Sequence, residues 1–328
     1  MFTTRITEML RIQHPIIQGG IIWLAKAELA AAVSNAGGLG ILSSISFSTA
    51  SELRDEIRKT KDLTDRPFGV NFPIFPMTRP SEGIERYIDV TVGEGVKVAE
   101  TSGQSPEPYM TQFKDGGVKV IHKVPAVRFA QTAERIGADA VILVGCEGGG
   151  HIGLDEVSSL ILIPRAVDTV NIPVIAAGGF GDGRGLAAAL ALGAEGVLMG
   201  TRFMASKESP AHPRVKEWMV AAKETNTMLI EQSIRNTARV IRNKAAETTA
   251  GMEHDGASLE ELLPVISGLK EKELFDTGDL GAGVMHCGQV TGLITEIPTV
   301  QEIIDSTVRE AELICQRLQK FFQSQPEN

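Results

Sequence analysis

The segment Pro173–Gly185, PVIAAGGFGDGRG, together with Gly196–Phe203, GVLMGTRF, decides the fold. Each begins as a short apolar run and breaks at glycine. After the first, Gly183–Leu192 reads as a helix, the order of a parallel-sheet βα unit. The same unit recurs toward the N-terminus about every 25 to 30 residues, as βαβ units do. Strands are expected at Pro15–Gly20, Leu39–Ser44, Phe68–Phe72, Lys97–Gly103, Val118–Val124, Ala140–Gly145, Pro173–Gly179 and Gly196–Phe203. Helices are expected at Ala25–Ala36, Ala50–Lys61, Pro106–Gly116, Ala126–Ile136, Gly183–Leu192 and Pro213–Lys223, with another within Ser81–Gly95. Eight successive parallel-type strands favour an α/β fold closed as a (β/α)8 TIM barrel over an open doubly wound sheet.

Beyond the eighth unit the pattern changes. Residues 1–224 are read as the barrel and 225–280 as a small, mainly helical insertion after strand 8 that contains the basic run Arg235–Lys244. Residues 281–328 are a return segment with an amphipathic helix over Ile303–Phe322 that packs back on the barrel, and the tail Gln323–Asn328 is expected to fray. The 34 glycines and 5% aromatic content suit parallel strands covered by closely packed helices.

The net charge of −9 gives no global positive field for nucleic acid or anionic lipid, so neither partner is expected. Cys146, Cys287 and Cys315 are widely spaced and form no CxxC pattern, which argues against a disulfide framework and a structural zinc site. The opening MFTTRITEML lacks a signal-peptide pattern, and no apolar run approaches the roughly 20 residues needed to span a bilayer. A cytoplasmic protein is expected. There is no H-x-x-H or H-E-x-x-H, so no metal site is proposed, and no G-x-S-x-G nucleophile elbow.

In a barrel, chemistry gathers at the C-terminal strand ends. Those ends carry the Gly-, Ser- and His-rich stretches. Gly178 and Gly179 after the seventh strand, with Gly200 and Thr201 after the eighth, stand where barrel enzymes commonly hold phosphate. A simple tight turn is the plainer alternative. The spacing is not G-x-G-x-x-G, so a flavin mononucleotide fits better than a dinucleotide. QGGIIW, Gln18–Trp23, offers glycine backbone to a planar ring, and Asn71 an amide that both donates and accepts. Lys123, ending VIHK, would put a cation in the mouth. His151 in GCEGGGHIG follows a glycine loop able to approach a ligand, and imidazole moves protons near neutral pH. Glu147 in that loop is read equally as a ligand contact, a partner for the lysine, or a surface charge. His122 should point away from Lys123 and pack under a helix. His14 is read as structural, and His286 as bordering the site.

These residues, with HPIIQGGIIW, AAAVSNAGGLG, LTDRPFGVN, VKVIHK, GGGHIG, MGTRF and GVMHCGQVTGL, resemble the nitronate monooxygenase family, the former 2-nitropropane dioxygenases. That superfamily also holds flavin-dependent NADH:quinone reductases and FMN-containing enoyl-acyl-carrier-protein reductases. The resemblance covers nearly the whole chain. It implies noncovalent FMN contacted by Gly20, Ile21, Asn71, Lys123, Gly149, Gly150, Gly178, Gly179, Gly200 and Thr201. It also implies that His151 stands beside the flavin, binding an alkyl nitronate or acting as base on a neutral nitroalkane, with oxygen as electron acceptor. Ile21 replaces a common Met, and the histidine loop reads EGGGH. VIHKVPAVRFA and RNTARVIRN lean toward the quinone reductases, GGGHIG and KESPAHP toward the enoyl reductases. The first expectation is a nitronate monooxygenase. The alternatives are a reductase using NAD(P)H as co-substrate and a quinone or enoyl acceptor, or a flavin-binding barrel without turnover.

Overall fold

Short β-branched runs broken by glycine become strands here, because each glycine turn hands the chain to a covering helix. The computed structural model describes residues 2–75 and 82–323. Ser81, the first residue of the span offered for the third helix, and the tail beyond 323, expected to fray, lie outside the described residues.

In chain order the strands are β1 (Ile16–Gln18), β2 (Gly40–Ser43), β3 (Phe68–Ile74), β4 (Val98–Gly103), β5 (Lys119–Val124), β6 (Ala140–Val144), the two-residue β7 (Gly150–His151), β8 (Val174–Ala177) and β9 (Val197–Met199). All but β7 form one parallel sheet in the order β1-β9-β8-β6-β5-β4-β3-β2. A parallel bridge from Ile17 to Leu39 brings β1 back beside β2 and closes the (β/α)8 barrel. The last barrel strand stops at Met199 rather than Phe203, because Gly200 turns the backbone out of the extended region.

Alternation along the strands sends Ile17, Ile41, Val98, Ile121, Ile142, Ile175 and Leu198 to the barrel interior. Ile6 and Leu10 of α1 (Arg5–Leu10) join this cluster and plug its base. Full burial of each such side chain is worth about 1.5–3 kcal/mol. The outer helices are α2 (Ala27–Asn35), α3 (Ala50–Leu63), α4 (Ile84–Gly93), α5 (Met110–Asp115), α6 (Val127–Arg135), α7 (Ser159–Val167), α8 (Gly183–Ala191), a single turn α9 (Thr201–Met204) and α10 (Pro213–Ala221). The sequence reading contains no α7. Its run SLILIPRAV is apolar on nearly every side and carries Pro164, so no helical stripe stands out; Leu160 and Ile161 are exposed on it.

After α10 comes an antiparallel hairpin, β10 (Thr227–Ile230) and β11 (Ala238–Ile241), and then α11 (Lys244–His254), α12 (Leu259–Ile266) and α13 (Gly268–Thr277). The basic run Arg235–Lys244, read as helical, is a loop followed by β11. Arg239 is drawn inward, where its guanidinium donates to the Cys146 carbonyl at 2.8 Å and to Thr227 Oγ1 at 3.0 Å. The other edge of β11 pairs with β7, Ala238 opposite His151 and Arg239 opposite Gly150. The terminal helix α14 (Val300–Gln323) packs on α8 and α2. No helix among the described residues is long and apolar enough to cross a membrane.

Two glycines set opposite expectations. A Cβ on Gly40 would stand 1.9 Å from the Ala30 carbonyl oxygen, so α2 lies on β2 only because glycine is there. Gly40→Ala should cost at least about 3 kcal/mol or prevent soluble expression. Gly251 is exposed inside α11 with nothing near its would-be Cβ, and Gly251→Ala should stabilise by about 0.5–1 kcal/mol. Thermal melts should rank Gly251→Ala above wild type and Gly40→Ala below it.

Candidate active site

The C-terminal strand ends surround a cavity of about 390 Å³. The residues expected to contact the flavin, and His151, line it: Gly20, Ile21, Asn71, Lys123, Gly149, Gly150, His151, Gly178, Gly179, Gly200 and Thr201. The barrel brings them together from six separate loops or strand ends because parallel strands all point one way.

The floor is polar. Asn71 on β3 is buried, and neither its amide nitrogen nor its amide oxygen has a partner. Leaving such groups unsatisfied costs about 1–3 kcal/mol each, so a donor-acceptor edge is the natural occupant. A Cβ on Gly20 would meet Asn71 at 2.4 Å, which is why backbone alone passes there. Lys123 does point into the mouth, but its ammonium lies 2.7 Å from a Glu100 oxygen. Glu100, fully buried on β4, also accepts from the Gly20 N–H at 3.2 Å. The sequence reading passed over Glu100; the available signal was its parity with Val98, which makes it an inward position. His122 turns the other way, bonded through Nδ1 to Thr101 Oγ1 at 2.9 Å, and burial lowers its pKa to about 4.

One wall is glycine. Gly178 and Gly179 have φ of +90° and +82°, and a Cβ on Gly178 would lie 2.7 Å from the Gly145 carbonyl oxygen. A Cβ on Gly200 would meet nothing within 4 Å. The ends of β8 and β9 therefore offer bare backbone side by side, as an anionic phosphate requires. The Thr201 hydroxyl is already engaged, accepting from the Gly288 N–H at 3.0 Å. Glu147 is not the partner of Lys123, which pairs with Glu100. Its carboxylate accepts from Ser159 N at 3.0 Å and Oγ at 3.0 Å, capping α7 from the preceding loop.

The mouth is built by the insertion. His151 Nε2 lies 2.8 Å from Asn236 Nδ2, whose amide also donates to Glu231 Oε2 at 2.5 Å. With the amide so oriented, Nε2 accepts and a neutral ring carries its proton on Nδ1. Burial raises the Glu231 carboxyl, but His151, His286 and Asn236 more than offset this and hold it below the usual range. The hairpin loop adopts positive φ at Glu231 (61°) and Arg235 (57°). Glu253 of α11 clasps it, accepting from Glu231 N at 2.8 Å and Ser233 N at 2.9 Å. His286 lines the same cavity, its ring centroid 5.6 Å from that of His151. Glu231 and Glu271 were not found from sequence, since each sits in a polar stretch with no motif, and Asn236 lies within RNTARVIRN, where nothing local sets it apart from its neighbours. His151, Glu231 and His286 each offer a ligand atom within 4.8 Å of the others, a spacing that a metal ion could use.

A nitronate monooxygenase family model matches residues 3–81 and 75–310. The chain is 37% identical to (3aS,4S,5R,7aS)-5-hydroxy-7a-methyl-1-oxo-octahydro-1H-indene-4-carboxyl-CoA dehydrogenase of Rhodococcus jostii, covering 94% of this chain and 95% of that one. It is 32% identical to a probable nitronate monooxygenase of Staphylococcus aureus, over 95% and 98%. Its structure superposes on FabK of Thermotoga maritima with a TM-score of 0.91 and 40% identity, over 98% and 100%.

The buried ion pair below the cavity gives a direct check. Glu100→Gln leaves the Lys123 ammonium without its counter-charge and should cost about 3 kcal/mol, read as a lower midpoint in urea unfolding. An unchanged midpoint would show that water already solvates Lys123.

Proposed function

The chain belongs to the nitronate monooxygenase family and is an oxidoreductase, and from that premise we propose that it binds FMN noncovalently and reduces or oxidises an acyl thioester beside carbon α. Membership sets aside the flavin-binding barrel without turnover. The observation that carries the cofactor reading is the unpartnered amide of Asn71 in the cavity floor, in line with the bare backbone at Gly178, Gly179 and Gly200. The residues fit the group at both ends. Asn71 would donate to and accept from the ring edge, Lys123 would favour negative charge on it, and the glycines would admit the phosphate. Gly20, Ile21, Gly149, Gly150 and Thr201 would complete the contacts.

Bound FMN supplies two-electron transfer to or from a carbon. The chain supplies the proton and the geometry. To act as acid the His151 ring would first be protonated, with the Asn236 amide turned to accept from Nε2–H. Nδ1–H would then pass its proton to carbon α of an enoyl thioester and leave a neutral ring, which would take the proton in the reverse direction. The hairpin loop and the return segment line the mouth, through Asn236 and Thr237 and through His286 and Val290, and would limit water there. In this reading NADH or NADPH is the electron source. The thioester class is supported by the dehydrogenase relative, whose name specifies a CoA substrate, and by FabK, an enoyl-acyl-carrier-protein reductase.

The second reading is nitronate oxidation with oxygen as acceptor, placed first by the sequence. The family description and the staphylococcal relative favour it, and the same imidazole would bind the nitronate anion.

The deciding experiment mixes flavin-loaded protein, without oxygen, with NADH, NADPH or an alkyl nitronate. Bleaching by a nicotinamide, reversed by a 2-enoyl-CoA, is the expected result; bleaching by nitronate alone selects the second reading. Gly179→Asp, which puts a carboxylate where the phosphate would sit, should purify colourless. His151→Ala should stay yellow and lose about 10²- to 10⁴-fold in turnover. Full turnover in that variant would take His151 out of the chemistry.

A further inference from the structure

The two imidazoles at the mouth are held differently. His151 takes a hydrogen bond from an amide, whereas His286 is backed by a carboxylate. His286 Nδ1 lies 3.0 Å from Glu271 Oε1, and the His286 backbone N–H donates to the same oxygen at 3.0 Å. Glu271, on α13, is buried, so both bonds are shielded from water. With Nδ1 committed to Glu271, the opposite edge of the ring faces the glycine loop: a Cβ on Gly150 would meet His286 Cδ2 at 3.9 Å. On that edge Nε2 is buried and has no partner. Burial disfavours the charged ring, but Glu271, with Glu231 beyond, overrides it and raises the pKa to about 9. Below that pH His286 carries a proton on Nε2 and nothing to give it to. The charged and titratable groups facing it are Glu271 from α13, Glu231 from the hairpin loop and His151 from β7.

We propose that His286, positioned by Glu271, is the oxyanion-binding group of this site, donating from Nε2–H to an oxygen conjugated with the reacting carbon. The naming of that oxygen as a thioester carbonyl rests on the function proposed above; a nitronate oxygen has the same chemistry. No bond to hydrogen breaks: His286 stays protonated while negative charge grows on the oxygen, and His151 alone moves a proton. Such a charge-assisted bond strengthens as the oxygen becomes anionic, which favours the transition state over the ground state. The metal reading of the same cluster is weaker. Asn236 Nδ2 already stands between His151 Nε2 and Glu231 Oε2, and a proton occupies the lone pair that a metal would need.

The test uses flavin-loaded wild type and Glu271→Gln, with 15N-labelled histidine. The wild-type His286 resonance should titrate near 9, and in the variant it should fall toward the ordinary 6.5. Affinity for two non-reacting probes, acetoacetyl-CoA and nitrate, is read from the flavin absorbance. In wild type it should stay level from about pH 6 to about pH 8, because the group is charged throughout and discharges only higher. In Glu271→Gln it should decline over that span, reaching a loss of about 10- to 100-fold near pH 8 and recovering near pH 6. His286→Gln, which keeps a donor without the charge, should be weak at every pH and serves if Glu271→Gln does not fold. Nitrate binding with this dependence while the thioester is ignored upholds His286 and rejects the thioester reading. Thioester binding indifferent to both substitutions upholds the function and overturns His286. The inference is also overturned by a wild-type ring that titrates at 6.5, by failure of both probes to bind, or by stoichiometric Zn²⁺ uptake that His286→Gln abolishes.

Discussion

The site depends on the edge of β11 that faces away from β10. Two residues of that edge pair with the glycine loop, Ala238 with His151 and Arg239 with Gly150, and its far end bridges Val240 to His286. A loop of three successive glycines cannot hold a histidine in place by itself, since glycine has more backbone freedom to lose than any other residue. Ladder hydrogen bonds from a strand supply that constraint. Because β11 belongs to the insertion, the barrel floor and the mouth are assembled from different parts of the chain, and both imidazoles are fixed by the same backbone.

Carboxylates, three of them buried, do the remaining positioning, each against a different partner. Glu100 accepts from Gly20 and neutralises Lys123, Glu147 caps α7, Glu231 shares an amide donor with His151, and Glu271 holds His286. Glu253 fixes the hairpin loop from outside. A carboxylate out of water is costly unless paired, so these acids hold the geometry firmly; breaking one such pair exposes the full penalty of the other charge. The result is a cavity whose floor presents an unsatisfied amide, whose wall presents bare backbone, and whose mouth presents two imidazoles in different states.

Much of this is legible in the sequence where local chemistry and global fold agree. The eight barrel strands, and the gathering of the glycine motifs with Asn71, Lys123 and His151 on one face, follow from short apolar runs ending at glycine. What escaped is what depends on distant pairing. The run Arg235–Lys244 looks helical by charge, yet becomes a strand because its neighbours in space are another strand and a glycine loop. α7 hides in an apolar run with an internal proline. Asn236 lies 85 residues from the His151 it holds, Glu231 acts through that same amide, and Glu271 reaches His286 from a different element 15 residues away, so no spacing rule finds them. Glu100 alone was within reach, through strand parity.

The central claim is that this cavity is built for a flavin mononucleotide. The most direct measurement is to denature the purified protein in acid and identify what is released. The account predicts intact FMN, freed without breaking a covalent bond, at about one equivalent per chain. A protein that releases FAD, retains its flavin covalently, or stays colourless when incubated with FMN would contradict it.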